Sequence, residues 1–123
     1  MQNDNAKFKI ELKKRLYAFT LKLIGFIEAL PNDNVSRRLS DQLLRSGTSV
    51  IANFVEGQSA SSKKDFINFL TISLKSANET KLWLALLRDT KKAAKKDADW
   101  FLNEITEIAN ILASCILTLK GKR

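Results

Sequence analysis

The chain has 123 residues and one Cys, lacks His, and carries 21 Lys and Arg against 13 Asp and Glu for a formal net charge of +8. That length suits a single domain over residues 1–123, large enough to bury a core without disulfides or a structural metal. With no His and only Cys115 as a thiol, zinc clusters, histidine-held haem and His-dependent triads lack their residues, so the chain reads as no enzyme and as needing no cofactor.

One proline and four glycines argue against a turn-rich β architecture and for a few long helices. In the first segment Leu12, Leu16, Phe19, Leu23, Phe26 and Leu30 alternate spacings of four and three, with Tyr17, Ile24 and Ile27 widening the apolar stripe. This predicts a helix over residues 7–29. Leu30-Pro31-Asn32-Asp33-Asn34 then supplies a breaker and several candidate N-caps.

A second helix is predicted over 35–56. Its stripe is Leu39, Leu43, Val50 and Phe54, with Leu44, Ile51 and Val55 alongside, and Gly57 is expected to take the left-handed conformation that ends it. Gly47 falls inside that stripe, where a missing side chain lets a neighbouring helix come close. Beside it Gln42, Arg45, Ser46, Ser49, Asn53 and Glu56 form one polar strip. A solvated face more often carries long Lys and Glu, so these small polar groups suit a close, hydrogen-bonded contact.

Ser62-Lys63-Lys64-Asp65 resembles a capping box with Asp in the place of Glu, and the third helix is predicted over 62–89. Phe66, Phe69, Leu70, Ser73, Leu74, Ala77, Leu84 and Leu87 make its core face. Asn68, Ile72, Lys75, Glu79, Leu82, Trp83 and Leu86 make a second stripe, which reads as a surface for another subunit or partner. Arg45 and Glu79, each a lone long charge among small or apolar neighbours, are expected to form a partly buried ion pair. The fourth helix is predicted over 98–119 from Phe101, Ile105, Ile108, Leu112, Cys115 and Leu119, with Asp97 or Asp99 as its cap. Cys115 is expected to pack as a small, inert apolar residue. Four such segments with short connections bury their stripes most simply as an all-α, antiparallel up-down-up-down four-helix bundle.

The runs QLLRSGTSVIANFVEG, SKKDF and LKSANETKLWLALL carry a resemblance across the second and third helices. Together they are similar to the bacterial four-helix bundle proteins found as reading frames inside intervening sequences of 23S ribosomal RNA genes. The resemblance implies a homopentamer, like the basic accessory variability protein of diversity-generating retroelements, which binds nucleic acid and a reverse transcriptase. On this resemblance Arg45, Ser49, Asn53, Glu56, Asp65 and Glu79 occupy family motif positions with structural or interface roles. Many members place arginines before the third helix's cap. Here Ala60 and Ser61 stand there, leaving Lys63 and Lys64 as the nearest positive charges.

No P-loop, HExxH or CxxC pattern occurs, so candidate function rests on surfaces. Positive charge gathers at Lys13-Lys14-Arg15, Arg37-Arg38, Lys63-Lys64, Lys91-Lys92-Lys95-Lys96 and Lys120-Lys122-Arg123. Of these, Arg37, Arg38, Lys63, Lys64, Lys91, Lys92, Lys95 and Lys96 are the candidate nucleic-acid contacts. Arg45, Ser49, Asn53, Glu56, Ile72, Lys75, Glu79, Trp83 and Leu86 are the candidate oligomer interface or polar seam. A pentamer would carry roughly +40, a field that attracts RNA or DNA backbone without reading sequence. Nearly all aromatic residues fall on the core stripes, so base stacking is not expected. The competing reading is a protein–protein scaffold whose lysines serve solubility alone. The opening residues MQNDNAKFKIELKK have no apolar signal region and no helix combines a free apolar face with a strongly basic one, so a cytoplasmic chain with no membrane role is expected.

Overall fold

A computed structural model describes the backbone of residues 2–121 and the side-chain surroundings of residues 6–121. Four helices follow in chain order: α1 Gln2–Glu28, α2 Asn34–Gln58, α3 Lys63–Asp89 and α4 Lys95–Leu119. Each packs against the next and α4 closes back onto α1, leaving α1 diagonal to α3 and α2 diagonal to α4. Rising residue numbers on one helix meet falling numbers on its neighbour. Ser46 meets Thr80 and Val50 meets Ser73, while Arg15 meets Glu104 and Lys22 meets Trp100. The architecture is therefore the antiparallel up-down-up-down bundle expected from four amphipathic segments.

The core is the sum of the four stripes. Leu16, Phe19 and Leu23 of α1, Leu43 and Val50 of α2, Leu70 and Leu84 of α3, and Ile105, Ile108 and Leu112 of α4 are all buried. Each such side chain contributes about 1.5–3 kcal/mol through burial. Phe101 stands edge-on to Phe19 at 5.8 Å and tilted against Phe26 at 4.8 Å, tying α4 to the later turns of α1. Tyr17, Leu44 and Val55 lie on exposed faces instead, so the stripes of α1 and α2 are narrower than the sequence suggests.

The caps explain where each helix begins and ends. Asp33 caps α2, its Oδ1 accepting from the Ser36 amide and its Oδ2 from the Ser36 hydroxyl, both at 2.9 Å. Those bonds hold the Asp33 carboxyl below the usual carboxylate range. Ser62 caps α3 by accepting from the Asp65 amide at 3.1 Å. Asp65 turns its carboxylate to the Ser61 hydroxyl at 3.4 Å, completing only half of a capping box.

Three boundaries differ from expectation by two residues or more. α1 begins at Gln2, ahead of Lys7. α2 runs through Gly57 to Gln58, with Ser59 as the C-cap in an ordinary conformation. Gly57 is buried inside the helix, where an added Cβ would come within 3.1 Å of Phe69 Cβ and 3.2 Å of Phe66 Cδ1. Its role is close approach to the first turns of α3, not termination.

α4 begins at Lys95, three residues before the expected start, and Ala94 occupies the cap without a side-chain bond. The break before it is a Schellman motif: the Lys92 amide donates to Leu87 O at 2.9 Å and the Lys91 amide to Arg88 O at 3.0 Å. Lys91, at φ 62°, takes the left-handed position usually given to glycine. The turn thus carries no Gly or Pro signal.

Candidate nucleic-acid interface

Helix α2 places Gly47 against α1, and the vacancy at its Cα is filled. A Cβ there would stand 2.3 Å from Leu23 Cδ2, so the Leu23 side chain occupies the space a larger residue would need. The opposite flank of α2 meets α3 through hydroxyls. Ser73 Oγ donates to Val50 O at 2.6 Å, Thr80 Oγ1 lies 2.9 Å from Ser46 Oγ, and Ser76 Oγ lies 2.8 Å from Ser49 Oγ. Small side chains allow the two backbones to approach, and their hydrogen bonds remove the cost of burying them. Among the described residues no buried side-chain polar atom is left without a partner.

Ser49 therefore lies inside the protomer, at the α2–α3 contact. Asn53 Nδ2 donates to Ser49 O and Oγ, both at 2.9 Å, and Glu56 is exposed one turn further on. At the outer edge Arg45 Nη2 donates to Glu79 Oε2, and Arg45 also donates to Gln42 Oε1 at 2.7 Å. Trp83 Nε1 donates to the same Glu79 oxygen at 3.0 Å. Arg45, more than Trp83, holds the Glu79 carboxyl below its usual range. The pair sits nearer solvent than expected, because Arg45 is 55% and Glu79 34% exposed in their side chains.

The second stripe of α3 is only partly free. Trp83 is half-buried and packs on the core, so it is no exposed anchor. Asn68, Ile72, Lys75, Leu82 and Leu86 do face outward, with Ile72 at 44%, Leu82 at 51% and Leu86 at 37% exposure. This is an apolar outer face beside the Arg45–Glu79 pair.

The basic residues divide between the two ends of the bundle. Arg37, Arg38, Lys91, Lys92, Lys95 and Lys96 share one end, where Lys92 Nζ reaches Asp33 Oδ1 at 3.4 Å and Lys95 Nζ reaches Asp99 Oδ2 at 2.6 Å. Arg88 binds Asp89 and Asp99 at 2.8 Å each. Arg37 donates to Asn32 and Arg38 to Asn34, so carboxylates and amides already occupy much of this end.

The opposite end joins the start of α1, the α2–α3 connection and the close of α4. Lys7, Lys9, Lys63, Lys64 and Lys120 are exposed there, with Lys13 and Lys14 further along α1, and none forms an ion pair among the described residues. Lys122 and Arg123 lie outside the described residues. Periodicity could not rank the two ends, because the ion pairs that engage Lys92, Lys95 and Arg88 at one of them depend on the α2 cap and on the start of α4.

Two further features escaped sequence reading. Arg15 clamps α1 to α4, donating from Nε and Nη2 to the two Glu104 oxygens at 2.8 Å and to Glu107 at 2.9 Å. Ser73, Ser76 and Thr80 recur at spacings of three and four on α3, the counterpart of Ser46 and Ser49 on α2. That recurrence was the available signal. Cys115 is half-buried beside a cavity, not enclosed in the core, and desolvation raises its thiol pKa.

Among the described residues no group of three or more acidic or thiol side chains is placed to hold a metal ion. Only α4 among the described helices is long and apolar enough to cross a membrane, and it spends Phe101, Ile105, Ile108, Leu112 and Ile116 on the protein core.

Residues 9–114 match the model of a family described as 23S rRNA-intervening sequence protein. A crystal structure of a protein of unknown function from the S23 ribosomal protein family of Bacteroides thetaiotaomicron is similar, with a TM-score of 0.80 at 39% identity over 85% of this chain and 97% of that one. No curated protein matches the chain.

Proposed function

The chain belongs to the 23S rRNA-intervening sequence protein family, and from that premise we propose that it is a non-enzymatic, basic adaptor that holds RNA or DNA by the phosphate backbone. The observation that carries this reading is the end of the bundle with exposed Lys7, Lys9, Lys63, Lys64 and Lys120 and no ion pair among the described residues. Ammonium groups with no protein carboxylate beside them can displace counterions from a polyanion. Lys91 adds support at the other end, since an exposed lysine occupies a left-handed position where glycine is conformationally better.

The apolar outer face of α3, with Ile72, Leu82 and Leu86, supports self-association, and a homopentamer would multiply the positive field. In this reading the assembly acts in the cytoplasm, away from membranes, beside a nucleic-acid enzyme such as a reverse transcriptase. A scaffold that binds only protein through the same face is the competing function.

Binding of an RNA duplex by fluorescence anisotropy across a salt series separates the two. The adaptor reading expects affinity to fall steeply with salt. The double variant Lys63→Glu/Lys64→Glu should flatten the log–log slope by about 2, near 0.9 for each phosphate no longer neutralised. No binding at about 50 mM salt, or a slope indifferent to the variant, leaves the scaffold.

A further inference from the structure

Between the first turns of α1 and the end of α4 lies a cavity of about 740 Å³, within the size range of small-molecule sites. It opens beyond the contacts that Arg15, Phe19, Lys22 and Phe26 of α1 make with α4. Ahead of Leu12 no described α1 side chain is buried, and Phe8 and Ile10 are about half exposed at 46% and 55%. Phe54, Phe66, Leu70, Ile111 and Leu119 line the wall, and Cys115 opens onto it.

The polar part of the lining has one sign. Lys9 and Lys63 border the cavity, no carboxylate does, and Lys9 Nζ is held 5.0 Å from the centroid of the Phe66 ring. The capped N-terminus of α3 at Ser62 and Lys63 adds its partial positive charge on the same side. Asp65, the nearby acid of that first turn, is engaged by Ser61 and stays out of the lining. An apolar wall beneath a pair of ammonium groups matches one kind of occupant.

We propose that this cavity binds a single-chain alkyl carboxylate, with its hydrocarbon tail among Phe54, Phe66 and Ile111 and its carboxylate between Lys9 and Lys63. Charge complementarity argues for the anion. A neutral or cationic amphiphile of the same tail would gain the apolar contacts but lose or oppose the charge-assisted bonds. The site shares Lys9 and Lys63 with the proposed nucleic-acid surface, but occupancy of the cavity is read in the absence of nucleic acid, so either reading can fail without the other.

Cys115 provides the readout, because it lines the cavity and is the chain's one thiol. Alkylation of Cys115 in the full chain, at fixed alkaline pH and with decanoate below its micellar concentration, should slow by about fivefold or more as the occupied cavity excludes the reagent. Lys9→Glu/Lys63→Glu, two exposed changes that leave the core intact, should raise the half-protecting concentration about tenfold. In parallel, amide NMR shifts on adding decanoate should concentrate at Gly57, Ser62, Lys63 and Ile111. The proposal is overturned if decyltrimethylammonium protects as well as decanoate. It is equally overturned if anionic vesicles protect while monomeric decanoate does not, or if neither alkylation nor amide shifts respond.

Discussion

Replacing Thr80 by Val tests whether the α2–α3 contact depends on its buried hydroxyls. Thr80 is fully buried, with Oγ1 2.8 Å from Ser76 O and 2.9 Å from Ser46 Oγ. Valine keeps nearly the same shape, so no cavity forms and the change isolates the hydroxyl. The Ser76 carbonyl retains its helical bond. Ser46 is left with only Leu43 O, at 3.3 Å, which is a poor substitute. A buried polar group that loses its good partner costs about 1–3 kcal/mol, and the residual bond puts this case in the lower half, near 1.5 kcal/mol. With an unfolding entropy of about 2.1 cal/mol/K per residue, 123 residues give about 0.26 kcal/mol/K, so the expected fall in Tm is about 6 °C. Ser46→Ala should cost less by itself, because Thr80 keeps its 2.8 Å bond to Ser76 O. The double variant should cost less than the sum by about 1 kcal/mol, since no hydroxyl is then stranded. Urea denaturation of all four proteins measures this cycle. Strict additivity, or a neutral Thr80→Val, would refute the hydroxyl account of the seam.

Gly47→Ala should destabilise by about 1–2 kcal/mol despite alanine's helix propensity, because the terminal methyl of Leu23 must shift within the core to admit it, whereas in a Leu23→Ala background the same change should stabilise by up to about 1 kcal/mol. Paired urea titrations check the reversal of sign. Lys91→Gly should stabilise the fold by about 0.5–1 kcal/mol by relieving the left-handed backbone, read as a rise in Tm, while weakening any RNA affinity. Glu104 has a folded pKa lowered from 4.5, chiefly by Arg15, so its contribution is present above that value and lost as pH falls through the lower folded pKa. Glu104→Gln should therefore cost about 0.5–1 kcal/mol at neutral pH, after allowance for solvent screening, with the gap to the parent closing on acidification in a pH series of urea titrations. Glu79→Ala frees the Trp83 indole, and in a Trp100→Phe background the emission of Trp83 should change while that of the parent holds.

The bundle was legible because its periodic residues answer to one physical demand, burial of one side of each helix. Leu12 to Leu23, Leu43 to Phe54 and Phe101 to Leu112 needed no partner information to be placed. Gly47 was readable for the same reason, as a gap on a buried stripe. Gly57 was misread because a glycine near a helix end has two uses, and only the packing of Phe66 and Phe69 decides between them. The end of α3 at Asp89 was placed as expected, but the turn after it and the start of α4 were not legible, since Lys91 does what glycine usually does, held by bonds to Leu87 and Arg88. Trp83 illustrates the limit at the surface. Its place on the helix followed from spacing, but its half-burial against the core and its bond to Glu79 did not. Which cationic end is partly paired likewise depended on Asp33 and Asp99, whose partners lie on other turns and helices.

The seam between α2 and α3 also bears on the order in which the bundle assembles. Its partners lie within a single antiparallel hairpin, from Ser46 with Thr80 inward to Val50 with Ser73, so loop-closure entropy is modest there compared with bringing α1 to α4. α1 by contrast is held along only part of its length. The hairpin should be the earliest piece to gain protection from amide exchange during refolding and the last to surrender it, with the opening turns of α1 exchanging through local fraying.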